Sequence, residues 1–272
     1  CDWSSDVCSS DLDTANNTLY VFIGRPAEWS DENTPPTPTD SIYTSVSCWR
    51  SAMALKRVAE SEAKLVIPRH DWIVGTVYTQ YDNRSENIYG SNFYALTIPE
   101  NNVYLCISNN KGAASTIKPS GTSTNIFETS DGYKWKYMYS LTDNDLLRFF
   151  TQEYMAVNNN PNIRNTAAGG SIENFEIING GTDYFSQNDA NYPTSVSLIG
   201  NGTGFVGIPI IEGNKNTISR INITNSGNGY TIAKLIVNGQ GSNANIRPII
   251  SPPRGHGYDN EVELGARYVM IN

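Results

Sequence analysis

The sequence is poor in the residues that carry reactive chemistry. Its 272 residues include two histidines, His70 and His256, and four cysteines. No H-E-x-x-H, H-x-H or G-x-S-x-G spacing occurs, which leaves no zinc-hydrolase helix and no nucleophile elbow. No C-x-x-C pair occurs either, so a zinc or redox motif is not available. Charged residues make up only 17% of the chain, and no run of one sign appears. That argues against a nucleic-acid surface, which needs a clustered basic face, and against an anionic membrane surface. No apolar stretch approaches the roughly 20 residues that span a bilayer.

The first segment also lacks the look of folded protein. Asp2 to Leu12 reads, codon for codon, as the translation of a common sequencing-library adapter, so residues 1–12 are expected to be an assembly artefact outside the fold. Without Asp2, Asp6 and Asp11 the acidic count falls from 27 to 24 against 19 basic residues, a net charge of −5. The cysteines fall to Cys48 and Cys106, both in apolar settings and expected to be buried, reduced thiols.

What is present is Gly, Asn, Ser, Thr and Tyr, the composition of a loop-rich β protein. Short β-type runs lie at Thr18–Gly24, Ala63–Pro68, Asp71–Tyr81 and Val103–Ser108, the last followed by an Asn109–Gly112 turn. A proline cluster, Asn33 to Asp40, must run extended over the surface. Ser41–Glu62 is the clearest helical stretch, with Ala52, Leu55, Val58 and Ala59 at helical spacing and Asp40 or Ser41 as its cap. Tyr133–Leu141 is the strongest strand. Strict alternation would put Tyr133, Trp135, Tyr137 and Tyr139 on one face. Burying four such rings contributes roughly 6–12 kcal/mol before chain entropy.

A polar, turn-like stretch at Asn158–Asn165 suggests a boundary. Beyond it lies a repeat of about 46 residues: Ile172–Tyr184 aligns with Ile218–Tyr230, Leu198–Gly204 with Ile236–Ser242, and Ile208–Ile211 with Arg247–Ile250. Two copies are too few for a solenoid and fit two packed β units. Gly200-Asn-Gly202-Thr-Gly204 lacks the following helix that a phosphate loop needs, so a glycine hairpin turn is expected. Asp143 with Asp145, or Glu128 with Asp131, could form a hydrolase couple, but Asp143 and Asp145 read better as a helix start. Asp183 and Asp189 lack EF-hand spacing for calcium. His256, in Ser251-Pro-Pro-Arg-Gly-His-Gly257, is expected in a rigid loop.

Four ordered segments carry a resemblance: Phe22-Ile-Gly-Arg25 with Glu28-Trp29 and Pro38-Thr-Asp40-Ser41; Val66-Ile-Pro-Arg69-His-Asp71-Trp72; Asp131-Gly-Tyr133-Lys-Trp135-Lys-Tyr137; and Glu153-Tyr154 with Val157. Together they resemble the baseplate wedge subunit family, gene eight product, of T4-like contractile-tail bacteriophages, over about residues 18–157 and more loosely 251–272. The resemblance implies a mainly β fold, a β-sandwich core with one or two helix-bearing loops. It implies a homodimer that contacts other wedge proteins in the virion tail baseplate and is assembled in the host bacterial cytoplasm. No enzymatic activity, cofactor, metal, nucleic acid or membrane is implied. The two-copy repeat has no matching counterpart and resembles β modules of other phage structural proteins.

The expected domains are 13–157, a β-sandwich wedge-type domain; 158–250, an inserted repeat module; and 251–272, a return to the main domain, with the chain expected to be truncated at both ends. Arg25, Trp29, Trp72, Tyr133, Trp135 and Tyr137 are the expected core or interface anchors. Two other classes remain open. One is a carbohydrate- or receptor-binding tail module using Tyr184 and Tyr230 as stacking platforms. The other is a tail hydrolase built on paired carboxylates.

Overall fold

The computed structural model describes residues 19–24, 31, 34, 37, 39, 41–85 and 87–272. The chain forms two compact units, one from the segment ending at Arg69 with Thr142–Val157 and Ala266–Asn272, the other from His70–Leu141 and Asn158–Gly265. Labels below run through both units in chain order. The described residues are mainly β, with antiparallel ladders throughout.

In the first unit β1 (Leu19–Gly24) pairs with β2 (Ala52–Val58), and the helix α1 (Ile42–Arg50) lies between them in sequence. Ser41 caps α1 by accepting from the Tyr43 N–H at 3.3 Å, and its partner candidate Asp40 lies outside the described residues. The helix expected over Ser41–Glu62 therefore ends at Arg50. Ala52, Leu55 and Val58 fit a helical period on paper, but a continuous antiparallel register with β1 satisfies the same backbone as a strand. The centre of the unit is β3 (Ala63–Pro68), which runs between β8 (Tyr154–Ala156) and β15 (Tyr268–Ile271). α2 (Asp143–Arg148) starts at Thr142, whose hydroxyl and N–H both meet the Asp145 carboxylate in a reciprocal cap.

In the second unit a four-stranded sheet has the order β4 (Tyr94–Thr97), β5 (Asn102–Ser108), β7 (Lys134–Ser140), β6 (Phe127–Glu128). β7 is buried along both faces. Its register with β5 shifts between Val103 and Tyr104, where Tyr139 and Tyr137 are the partners and Met138 is the extra residue. A bulge breaks simple alternation. Tyr133, Trp135 and Tyr137 share one cluster, while Tyr139, beyond the bulge, is outside it. Asp71–Tyr81 is not a strand. Apart from a single bridge at Asp71, its backbone is satisfied at long range: the N–H groups of Trp72, Gly75 and Tyr81 donate to the carbonyls of Leu96, Ser115 and Cys106. Asn158–Asn165, expected as a turn, carries α3 (Pro161–Thr166). Asn160 caps it, proline occupies its first turn, and Ile163 anchors it in the ring cluster.

The repeat builds the rest of this unit. The first copy supplies β9 (Ile172–Thr182), β10 (Ser195–Gly200) and β11 (Thr203–Glu212); the second supplies β12 (Thr217–Asn228), β13 (Ala233–Asn238) and β14 (Ser242–Ile250), with α4 (Asn260–Glu263) following. β9 pairs with β14, β10 with β13 and β11 with β12. Every strand thus takes its hydrogen-bond partner from the other copy, in a pattern that exchanging the copies leaves unchanged. Neither copy can satisfy its own backbone, which is why two suffice where stacked solenoid repeats need more.

The copies also match in detail. Asn179 and Asn225 each accept from the N–H two residues on, at Gly181 and Gly227, which hold φ of 67° and 62°. Tyr184 and Tyr230 are both 4% exposed in the module's own core. Each ring lies on a glycine of the other copy, or of its own turn: a Cβ on Gly241 would sit 2.4 Å from the Tyr184 ring, and one on Gly202 2.4 Å from the Tyr230 ring. Buried rings cannot act as stacking platforms, so that expectation for Tyr184 and Tyr230 is overturned. The Gly200–Gly204 segment is also not a hairpin turn. It links β10 and β11, which belong to different ladders, and is a corner between sheets.

Candidate functional site: an aromatic core, a buried histidine and an apolar surface

Four of the six expected anchors converge in the second unit. Tyr133 stacks on Trp135 at 5.5 Å between ring centroids, Tyr78 meets Trp135 edge-on at 5.4 Å, and Tyr137 and partly buried Trp72 complete the cluster. Trp72 Nε1 donates to Ser115 Oγ at 3.2 Å. The Trp135 indole is fully buried, and its Nε1 has no acceptor among the described residues. Arg25 and Trp29 lie outside the described residues. Cys106 is buried in this cluster, and burial pushes its thiol well above the usual range. Cys48, expected to be buried, is instead exposed, because α1 buries none of its residues.

The strand's leading turn is clamped by Asp131. One carboxylate oxygen accepts from Thr129 Oγ1 and the Tyr133 N–H, the other from Ser115 Oγ and the N–H groups of Thr116 and Ile117. Burial pushes the Asp131 pKa up, but these donors outweigh it and hold the group below the ordinary aspartate value. Such a carboxylate is a structural acceptor. Asp145 is likewise committed to the α2 cap, and Asp189 Oδ1 accepts from the N–H groups of Asn191 and Tyr192.

The sequence places His256 in a rigid loop and does not reveal its partners. Its ring is 1% exposed. Nε2 lies 2.7 Å from Glu173 Oε2, and Nδ1 is hydrogen-bonded to Glu263 Oε1. Glu263 Oε2 also accepts from the Gly257 N–H at 2.7 Å, Ser171 Oγ donates to Glu173, and the Tyr81 ring meets the imidazole edge-on. Burial alone would lower the histidine pKa, but the two carboxylates overcome it and raise it to about 10. Burial likewise disfavours charged Glu173, yet the imidazolium holds its pKa below the usual value. The Lys136 amine, whose own pKa burial lowers, adds attraction to both carboxylates. A cation wedged between two anions in the interior is stable as a set and costly to break singly. Both ring nitrogens face carboxylates, so neither is placed to take a proton from a substrate. The one local signal in sequence was the Gly-His-Gly run with Glu263 seven residues on. His70, by contrast, packs against Tyr94.

In the first unit, exposed apolar side chains gather on one helix and one hairpin. On α1, Ile42, Val46 and Trp49 recur at helical spacing beside Tyr43, and all are exposed, Tyr43 by 84% and Trp49 by 66%. Tyr20 and Ile23 on β1 and Met53 and Leu55 on β2 are exposed as well, and Phe22 stacks on Trp49 at 5.5 Å. Solitary exposed apolar side chains are ordinary, but a helix and hairpin that expose this many together mark an interaction surface.

Residues 6–108 match the family model described as "Bacteriophage T4, Gp8". A curated relative, the "Baseplate wedge protein gp8" of Enterobacteria phage T4, is 26% identical over 176 residues, covering 52% of this chain and 53% of the relative. Over these regions the chain is similar to Gp8 baseplate wedge proteins. It spans about half the length of the curated relative it matches. In this Gp8-like chain the family match takes in α1, the hairpin and β3 to β5, and begins inside the stretch that reads as adapter. The ring-bearing β7 and the two-copy repeat lie beyond the family-model match.

Among the described residues no helix is long and apolar enough to cross a membrane.

Proposed function

We propose that this chain is a structural subunit of a phage tail baseplate wedge. It acts as a stiff β scaffold that holds neighbouring wedge proteins, forms a homodimer and performs no catalytic step. The observation that carries the reading is the Gp8 match, which covers a helix and hairpin that leave their apolar side chains uncovered. The virion tail baseplate is then the chain's place of work. The domain reading goes with it: 158–250 is a module with its own core, inserted into a wedge-type chain and available for contacts of its own.

In this reading the α1 and hairpin face is the dimer contact. Aromatics and methionine, which crowd this face, are the residues enriched at interface cores. A protein with Trp49→Ser and Met53→Asp is expected to sediment as a monomer at concentrations where the wild type is a dimer, while its melting temperature stays within about 2 °C, because exposed side chains support little of the fold. Unchanged sedimentation of the double variant would remove this face from the dimer contact.

A further inference from the structure

The near-symmetry of the repeat module isolates one place where its copies differ. The outer ladders repeat residue for residue. Phe175↔Pro248 and Ile177↔Ile246 in one answer Ile221↔Pro209 and Ile223↔Gly207 in the other, with register shifts at the same places. In the middle ladder Ser197↔Ile236 and Leu198↔Leu235 are images of each other, so Leu198 is the equivalent of Ile236. Thr182↔Ser242 and Asn228↔Thr203 match in the same way, so Thr203 is the equivalent of Ser242. The corner from Leu198 to Thr203 therefore has a counterpart, Ile236 to Ser242, that is one residue longer.

The shorter corner is tied down. Asn201 Oδ1 accepts from the N–H groups of Thr231 and Ile232 at 3.0 and 3.1 Å, and its Nδ2 donates to Thr231 Oγ1 at 2.8 Å. The longer corner runs Asn238-Gly239-Gln240-Gly241 and has no such tie. Among the described residues neither the Asn238 carboxamide nor the Gly239 N–H has a hydrogen-bond partner. Both corners contain an Asn-Gly pair, and two more such pairs begin at Asn179 and Asn228. All four asparagines are exposed, so exposure does not separate them. Hydrogen bonding does. Asn179 Oδ1 accepts from the Gly181 N–H at 2.9 Å, and the Gly229 N–H donates to the Gly169 carbonyl at 3.2 Å. In the pairs at Asn179, Asn201 and Asn228 either the carboxamide or the glycine nitrogen beside it is held.

Glycine has no Cβ to keep its nitrogen from the carboxamide that precedes it. We propose that Asn238 is a spontaneous modification site, converted to aspartate and isoaspartate through a cyclic imide with Gly239. The Gly239 nitrogen attacks Asn238 Cγ. A new N–Cγ bond forms, the Cγ–Nδ2 bond breaks, and ammonia leaves with the former amide proton. Water then adds to one of the two imide carbonyls and reopens the ring. One opening gives aspartate. The other gives isoaspartate, with the side-chain methylene now in the backbone. Nothing is oxidised or reduced, and water is the co-reactant. Either product places a negative charge on the corner. Isoaspartate also lengthens the chain just before Gly241, the glycine on which the Tyr184 ring lies.

The test incubates the whole protein at mildly alkaline pH, folded or in guanidinium chloride, and follows the four Asn-Gly pairs by peptide-mapping mass spectrometry. In the folded protein Asn238 is expected to convert about tenfold or more faster than Asn179, Asn201 and Asn228, which must open locally before they react. In denaturant the four rates are expected to converge, because the order is set by the fold. Another pair converting first, all four converting together in the folded protein, or Asn238 staying amidated while the unfolded sample reacts would each overturn the proposal. So would an Asn238 lead of the same size in denaturant.

Discussion

Replacing Trp135 with alanine is expected to lower stability by about 3–5 kcal/mol. The indole is fully buried, with Tyr133 stacked on one side and Tyr78 set edge-on, so truncation leaves a cavity that rigid neighbouring rings fill poorly. Strands β5 and β7 pack through this point, and Cys106, the Trp135 partner on β5, loses its neighbour as well. Trp135→Phe should cost clearly less. Most of the ring volume remains, and the substitution removes a buried N–H that has no acceptor among the described residues. Urea unfolding read by far-ultraviolet circular dichroism separates the cases. Equal losses in both variants, or an alanine variant that melts like the wild type, would show that the cluster does not carry the sheet.

Removing the buried histidine is expected to have an effect of similar size, with a pH signature of its own. His256→Ala leaves Glu173 and Glu263 facing each other in the interior without their shared cation, a change expected to cost about 3–5 kcal/mol at pH 7. The imidazole pKa is raised from its ordinary 6.5 to about 10 on folding. Its stabilising contribution is therefore complete below pH 6.5 and fades as pH rises through about 10. Glu173 behaves in the opposite way. Its folded pKa is lowered from 4.5, so its contribution is present above 4.5 and is lost as pH falls through the folded value. Urea midpoints measured from pH 5 to 10 should decline for the wild type across the upper half of that range and stay flatter for His256→Ala. Parallel profiles would mean that the histidine is neutral in the native protein.

Trp135 and His256 differ in how far the sequence reveals them. Trp135 announced itself, because alternating rings within one run report a buried strand whatever lies across from it. β3 and β5 were legible as short apolar runs, and the glycine-tyrosine repeat was visible as self-similarity. The crossing of the two copies was not visible, since a repeat reveals equivalence but not which copy a strand bonds to. The Ala52–Val58 error has a local cause: apolar residues three apart fit a helix, and only pairing with β1 decides otherwise. Asp71–Tyr81 looked like a strand because it is apolar, yet its hydrogen bonds go to scattered carbonyls. The His256 cluster joins residues 83 positions apart, Glu173 and His256, and no spacing rule spans that distance. Cys48 shows the converse failure, where an apolar neighbourhood in sequence became an exposed helix.

As a proposed building block of a tail baseplate, the chain would turn its apolar face and its repeat module to neighbours rather than to a substrate. Antibodies raised against the β9–β14 module test it most directly, by immunogold electron microscopy on purified particles of the phage that carries this gene. Label is expected at the baseplate end of the tail. Label on the capsid, or particles free of the protein while infected cells contain it, would contradict it.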